Sequence, residues 1–362
     1  VISRRALLAA GPLAVACARR PGTGFRGTAF VATEESNSVV AVDLLAFAVR
    51  NRIELPASPT ALSRHPDPAQ HQLFALTPRG HTLEVIDTQA RVRVRSIRLP
   101  GQPMAALWSQ GKLWCLLKDA PRLHALEGKG IPLPASPVAF DLSREAPIAC
   151  VTLESGQVVF ADLESRRLLP PLDLEGELGQ PCFRRDGKVV LVAERRQHRL
   201  TVIDTSSRAI MTQLPLALSP DHLCVSADGG QVFITGQGRD AVVIAYAYRT
   251  EIAQTSLSGR KPGCMAVSAD PNFLFVANPE AGSVSVFDIT TQKVVAVTGV
   301  GMDPGAIVVT PDQEYALVLN RASADMAVIR ISAITVGRAK SAPLFTMIPV
   351  GSRPVDAVVV PA

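Results

Sequence analysis

The side chains with the clearest prospect of chemistry are basic and sit in short polar segments between apolar runs. Arg195, Arg196 and His198 share AERRQH, Arg239 lies in GQGRD, and Arg260 and Lys261 are adjacent. Arg321, Arg353 and His222 complete a set of candidate ligand-binding residues. Guanidinium forks match the paired oxygens of carboxylates and phosphates, and several of them around one opening would concentrate an anionic ligand. Glu34 and Glu35 bring the opposite sign to the first such segment. The competing reading is a solvated, arginine-rich surface whose charges never converge.

Catalytic patterns are thin. The chain has no G-x-S-x-G, H-E-x-x-H, Walker loop or dinucleotide fingerprint, so no motif names a catalytic residue or a cofactor. GTGFRG, from Gly22, follows no strand-like run and reads as tether, not as a phosphate loop. The histidines, His65, His71, His81, His124, His198 and His222, form no i, i+4 pair and read as surface or turn residues. Cys115, Cys150, Cys182, Cys224 and Cys264 lie in apolar runs such as LWCLL and IACVTL, without ligand spacing. They read as buried thiols, and no metal site is expected. Acid and base groups from distant segments can still meet in a fold, which spacing alone does not reveal.

Composition narrows the classes. A net charge of +5 hints at nucleic acid, but the basic residues are scattered and aromatics make up only 5 %. Without a basic run or a stacking platform, nucleic-acid binding is not expected. At 47 % hydrophobic and 19 % charged, the chain is not a disordered one. Its 362 residues exceed what one compact core normally holds, which calls for two domains or a repeat array.

The array is visible. Second apolar runs close at Asp43, Asp87, Glu127, Asp162, Asp204, Tyr246, Asp288 and Arg330, a spacing that settles at about 42 residues. Within a unit, four runs of five to seven residues alternate with period two and are bounded by turn residues, as in CMAVSA, FLFVAN, SVSVFDI and KVVAVTGV. Such runs are strands. A proline introduces each next unit: Pro59, Pro103, Pro137, Pro181, Pro220, Pro262, Pro304 and Pro354. Lacking an N–H, proline is expected at the passage between units and not inside a sheet.

The ends decide the topology. The first unit opens on a second-type strand, TAFVATEE, while the C-terminus carries a surplus first-type strand, PVDAVVVPA. A ring closed by that last strand leaves no broken edge, whereas a solenoid would need polar caps. The expectation is an all-β, single β-propeller of four-stranded blades, eight favoured, monomeric. Seven blades is the alternative, because the third unit, Met104 to Pro134, is short and weak.

FVANPEAGSVSVFDITTQKVVAVTGVG, together with FVATEESNSVVAVDL and ALVLNRASADMAVIRI, resembles the YVTN-type repeat of bacterial periplasmic propellers. The resemblance spans Thr28 to Ala362 and implies a rigid frame whose loops carry recognition. It implies a binding module for an unidentified protein or a small anionic ligand. Lactonase-like propellers share the repeat style, so a hydrolase is one alternative. A propeller handling a haem d1-like tetrapyrrole is another, with His198 and His222 as candidates for an imidazole aimed into the channel.

The N-terminus reads as an address. Ser3-Arg4-Arg5 precedes the apolar stretch Ala6 to Ala16, whose helix would cover only about 16 Å of a hydrocarbon core of about 30 Å. The segment resembles a twin-arginine signal running into a lipobox, Ala14-Val15-Ala16-Cys17. The expected organisation is a signal over residues 1–17, a tether over 18–27 and the propeller over 28–362. The resemblance implies export to the periplasm and a lipid anchor to the membrane at Cys17; a plain signal peptide with a chance cysteine is the simpler alternative.

Overall fold

A computed structural model describes residues 24–174, 176–334 and 343–362, so the signal segment and Cys17 lie outside the described residues. Antiparallel strands form eight sheets, each running from an inner strand to an outer one. Blade 1 combines residues 27–54 with 354–361, and blades 2 to 8 span 61–98, 103–132, 137–173, 178–215, 219–257, 265–299 and 304–349. Among the described residues the only helical elements are single 3-10 turns, and no helix is long and apolar enough to cross a membrane.

The two middle strands of a blade are covered on both faces, which explains their unbroken apolar runs. Val39 to Val42 and Leu73 to Leu76 are buried throughout, while the outer strand Val92–Arg98 is exposed along most of its length. Eight apolar clusters among the described residues each straddle one pair of neighbouring blades. Leu83 and Val85 of blade 2 pack against Leu113 and Cys115 of blade 3, whose Trp114 and Leu123 pack against blade 4. The short third unit is therefore a blade in its own right, and the count is eight.

The ring closes as expected. The C-terminal strand Pro354–Pro361 pairs antiparallel with Gly27–Thr33, from Thr28 opposite Val360 to Ala32 opposite Asp356. Asp356 then reaches beyond its own sheet, its Oδ2 accepting the Leu62 N–H of blade 2 at 2.8 Å. Asp141 makes the same kind of bridge from blade 4, accepting the Phe183 N–H of blade 5 at 2.7 Å. Inner strands are sheet edges, and these carboxylates satisfy donors that no strand covers.

The prolines depart from expectation: only Pro59 and Pro262 lie in linkers, while Pro103, Pro137, Pro304 and Pro354 each open an inner strand. Pro181 and Pro220 lie inside the inner strands Leu178–Phe183 and Ser219–Val225. An inner strand is an edge, so a missing N–H there costs no ladder bond. Blade 4 shows the stronger effect of proline: Pro170 and Pro171 split its outer strand into Arg167–Leu168 and Leu172–Asp173.

Candidate functional site

On one face of the ring, the turns between second and third strands meet the linkers between blades. Backbone bonds tie them together, as in Glu34 N–H to Arg353 O at 2.9 Å and Arg321 N–H to Asp303 O at 3.0 Å. All nine candidate residues belong to this rim or to the inner strand beneath it, and four of them arrive paired with acids. Arg195 lies 3.0 Å from Asp221 and 3.6 Å from Glu177. Arg321 lies 2.8 Å from Asp303, Arg353 3.0 Å from Glu34, and Lys261 3.6 Å from Glu280. Arg196, Arg239 and Arg260 are exposed and make no ion pair among the described residues.

The arc is thus an alternation of signs and not an unopposed positive rim. Arg195, Arg196 and His198 do come together, lining with Glu177, Ser219, Gln237 and Gly238 an open cleft of about 520 Å³. Arg239, Arg260, Lys261, Arg321 and Arg353 lie elsewhere along the rim. His198 has a plain structural task as well. Its backbone is left-handed (φ 49°) at the end of its turn, where other blades place Asn37, His81, Gly282 and Ala324. Its side chain is exposed on the rim.

His222 is placed differently. It sits half-buried on the inner strand of blade 6, just after a β-bulge. Pro220 pairs with Gly236 and His222 with Thr235, which leaves Asp221 as the extra residue. A bulge re-aims the side chains it carries. The same strand position bulges in blades 1, 3, 4, 5 and 8, where the unpaired residues are Val355, Met104, Val138, Gly179 with Gln180, and Gly305 with Ala306. Only blade 6 puts a charge there. Gly236 makes the bulge possible, because a Cβ at that position would strike the backbone of Ser219 and come within 2.9 Å of Asp221 N.

Electrostatics mark this as a meeting point. Burial pushes the His222 imidazole below its ordinary pKa; Asp221 opposes that shift, and both Arg195 and Arg321 add to it. Arg195 comes from blade 5 and Arg321 from blade 8, so positive charges from two non-adjacent blades both disfavour the imidazolium form of His222. No hydrogen bond holds that ring among the described residues. Arg321 also bears on Cys264, whose thiol burial pushes up, and Asp356 acts on the same thiol from blade 1. Burial lifts the Asp356 carboxyl to about 6 against the pull of its two backbone N–H donors. The mouth therefore brings into electrostatic reach of one another an imidazole with a lowered pKa, two anchored guanidinium groups, a thiol and a carboxyl raised to about 6.

Sequence reasoning selected Arg195, His222 and Arg321 but missed Asp221, Cys264 and Asp356. The available signal for Asp221 was a lone acid directly after a linker proline. The five described cysteines are free; Cys115 and Cys150 are buried as expected and Cys182, Cys224 and Cys264 partly so, and burial raises each thiol's pKa, that of Cys115 to about 12. No group of three or more His, Cys, Asp or Glu side chains able to hold a metal occurs among the described residues.

The fold and the mouth place this chain among the eight-bladed β-propellers. Neither the known family profiles nor the curated proteins contain a match to the sequence. Solved structures do. Dihydro-heme d1 dehydrogenase NirN in complex with DHE matches with a TM-score of 0.75 at 14 % identity, over 94 % of this chain and 76 % of that one. Apo AztD from Citrobacter koseri matches at 0.69 and 14 %, over 92 % and 97 %. The periplasmic gluconolactonase PpgL of Pseudomonas aeruginosa matches at 0.60 and 19 %, over 92 % and 99 %. At such identities the likeness is one of fold.

Proposed function

We propose that this chain is an exported, membrane-tethered propeller that binds a small carboxylated ligand across the channel mouth of blades 5 to 8. The observation that carries the reading is the pair of anchored guanidinium groups, Arg195 on Asp221 and Arg321 on Asp303, whose charges both act on half-buried His222 from non-adjacent blades. Asp221 and Asp303 hold the two guanidinium groups in place, so little side-chain freedom is lost when an anion docks. Charge-assisted bonds from two fixed forks suit a ligand with separated carboxylates. The exposed Arg196 and Arg239 extend the reach of the site along the rim.

A second reading specifies the ligand as an iron tetrapyrrole, a ring that commonly carries carboxylates. The neutral imidazole of His222 favours it, as does the likeness to NirN. His222 would supply an imidazole nitrogen to hold the iron, and Arg195 and Arg321 would hold the carboxylates. Titration with an iron porphyrin and with its metal-free form separates the two readings. Arginine-dependent binding of both forms supports the first, and a Soret shift abolished by His222→Ala supports the second. Binding of neither, or binding unchanged in an Arg195→Ala/Arg321→Ala variant, overturns both.

Support for the tether comes from the opposite face. Gly24 lies against Leu44, Leu45 and Phe47, in the turn between third and fourth strands of blade 1. Beside it Leu45, Val49, Leu344, Phe345 and Met347 are exposed. An anchor at Cys17 would draw this apolar edge to the bilayer and leave the channel mouth facing outward. A Cys17→Ala variant is expected in the soluble fraction; membrane retention unchanged by the substitution counts against the anchor.

A further inference from the structure

A second candidate site lies away from the channel mouth. It is a groove of about 800 Å³ on the outer side of the ring, between the end of blade 2 and the third and fourth strands of blade 3. Arg98, Arg122, His124 and Lys129 line it together with Leu99, Pro100, Gly128, Gly130 and Pro132. No carboxylate is among them. That sets the groove apart from the rim, where Arg195, Arg321, Arg353 and Lys261 each have an acidic partner.

Blade 3 opens this groove because one face of its third strand carries cationic and imidazole side chains in place of apolar ones. Its third strand, Arg122–Ala125, buries Leu123 and Ala125 against blade 4 and turns Arg122 and His124 to the other side. The corresponding strands Ser38–Asp43 and Ala241–Tyr246 are apolar on both faces. A cation cannot be packed into a dry interface without a partner, so the blade stays open there. The outer strand is reduced to Ile131–Pro132 and cannot cover the gap.

What lines the gap is built and not merely left over. Arg122 Nε and His124 Nδ1 are inaccessible to solvent and have no hydrogen-bond partner. Burial and the neighbouring Arg122 charge keep His124 below its ordinary pKa, and no acid opposes them. Gly130 lies against both side chains: a Cβ there would approach Arg122 Cδ and His124 Nδ1 at 3.3 Å each. Arg166 of blade 4 fixes the loop, donating to Lys129 O at 2.9 Å and Glu127 O at 3.3 Å. It lies over Gly128, where a Cβ would meet its guanidinium at 2.5 Å.

We infer that this groove is a phosphate-binding site, in which Arg122 and His124 donate to one phosphoryl group and Lys129 supplies a second positive charge from the loop. Cationic side chains held side by side with no carboxylate among them repel one another in the free protein, and a multiply charged oxyanion in the groove relieves that repulsion while accepting charge-assisted bonds. Phosphate can reach the groove free in solution or as the headgroup of an anionic lipid. The inference is independent of the channel-mouth ligand, because it uses different blades and different residues.

The test uses the full chain in two arms: calorimetry with inorganic phosphate and pyrophosphate, and flotation with phosphatidylcholine vesicles with and without phosphatidylglycerol. Arg122→Gln is expected to weaken binding at least about tenfold in whichever arm binds, as befits loss of a charge-assisted donor. Lys129→Gln, in the exposed loop, is expected to weaken it by a smaller factor and keeps the test open should Arg122→Gln fold poorly. Lys293→Gln, exposed on the outer strand of blade 7, is expected to leave it unchanged, which separates this site from general surface charge. Binding in neither arm, or equal binding by the wild type and an Arg122→Gln/Lys129→Gln double variant, overturns the inference.

Discussion

Gly236→Ala is the most informative single perturbation of the channel mouth, because the added methyl group acts on backbone alone. A Cβ at residue 236 would lie 2.8 Å from the carbonyl carbon of Ser219 and 2.9 Å from Asp221 N, and closer still to Ser219 O. None of these atoms belongs to a side chain that can swing away. The backbone at Gly236 is not left-handed, so alanine meets no conformational penalty and the effect is steric. Overpacking of this kind typically costs about 1–3 kcal/mol, which in a chain of this length moves the melting temperature by only a few degrees. Chemical denaturation is therefore the better assay. Relief of the clash must push residues 219–221 outward and release His222 from its half-buried seat, so its titration should move up toward the ordinary imidazole range. Gly299→Ala is the control: a Cβ there meets nothing within 4 Å, and the change should stay within about 0.5 kcal/mol of neutral. Equal stability of Gly236→Ala and wild type, with an unmoved His222 titration, would refute the role assigned to the bulge.

Other outcomes follow from buried charge. The Asp356 carboxyl titrates near 6 in the folded protein, above the ordinary carboxylate value. The stability linked to it is complete below about pH 4 and lost as the pH rises past 6, up to roughly 3 kcal/mol in all. Asp356→Asn should therefore match the wild type in acid and exceed it at pH 8, as followed by urea unfolding across pH; parallel profiles would contradict this. Glu194 is fully buried and lies 2.7 Å from Arg199, with Thr201 also donating to it. Arg199→Ala should cost about 3–5 kcal/mol, because it strands a buried carboxylate, and Glu194→Gln in the same chain should recover part of the loss. A single variant within about 1 kcal/mol of wild type would show that water reaches the pair.

The architecture was legible because a propeller repeats one solution to one packing problem. The 42-residue spacing, the recurrent prolines and the surplus strand PVDAVVVPA all report on strands that must be covered by neighbours. Even the weak third unit resolves as a blade, since Trp114 and Leu123 face one neighbour while Leu113 and Cys115 face the other. The site was legible only in part. Arg195 and Arg321 were visible as charges, but Asp221 and Asp303, which fix them, come from the linker or strand of another unit. Charge pairing across blades has no period. The aim of His222 depends on a bulge that in turn depends on a glycine opposite, and neither disturbs the apolar pattern enough to be read. His198 illustrates the converse. Its prominence in AERRQH reflects in part a turn that needs a left-handed residue.

The central claim is that groups from blades 5, 6 and 8 converge on one imidazole at the channel mouth. The most direct measurement is the NMR titration of the His222 ring in the wild type and in Arg195→Ala and Arg321→Ala variants. The convergence predicts a wild-type value below the ordinary imidazole range and an upward shift in each variant, since each removes a positive charge that disfavours the imidazolium. A wild-type His222 that titrates at or above the ordinary value, or one that neither substitution moves, would contradict it.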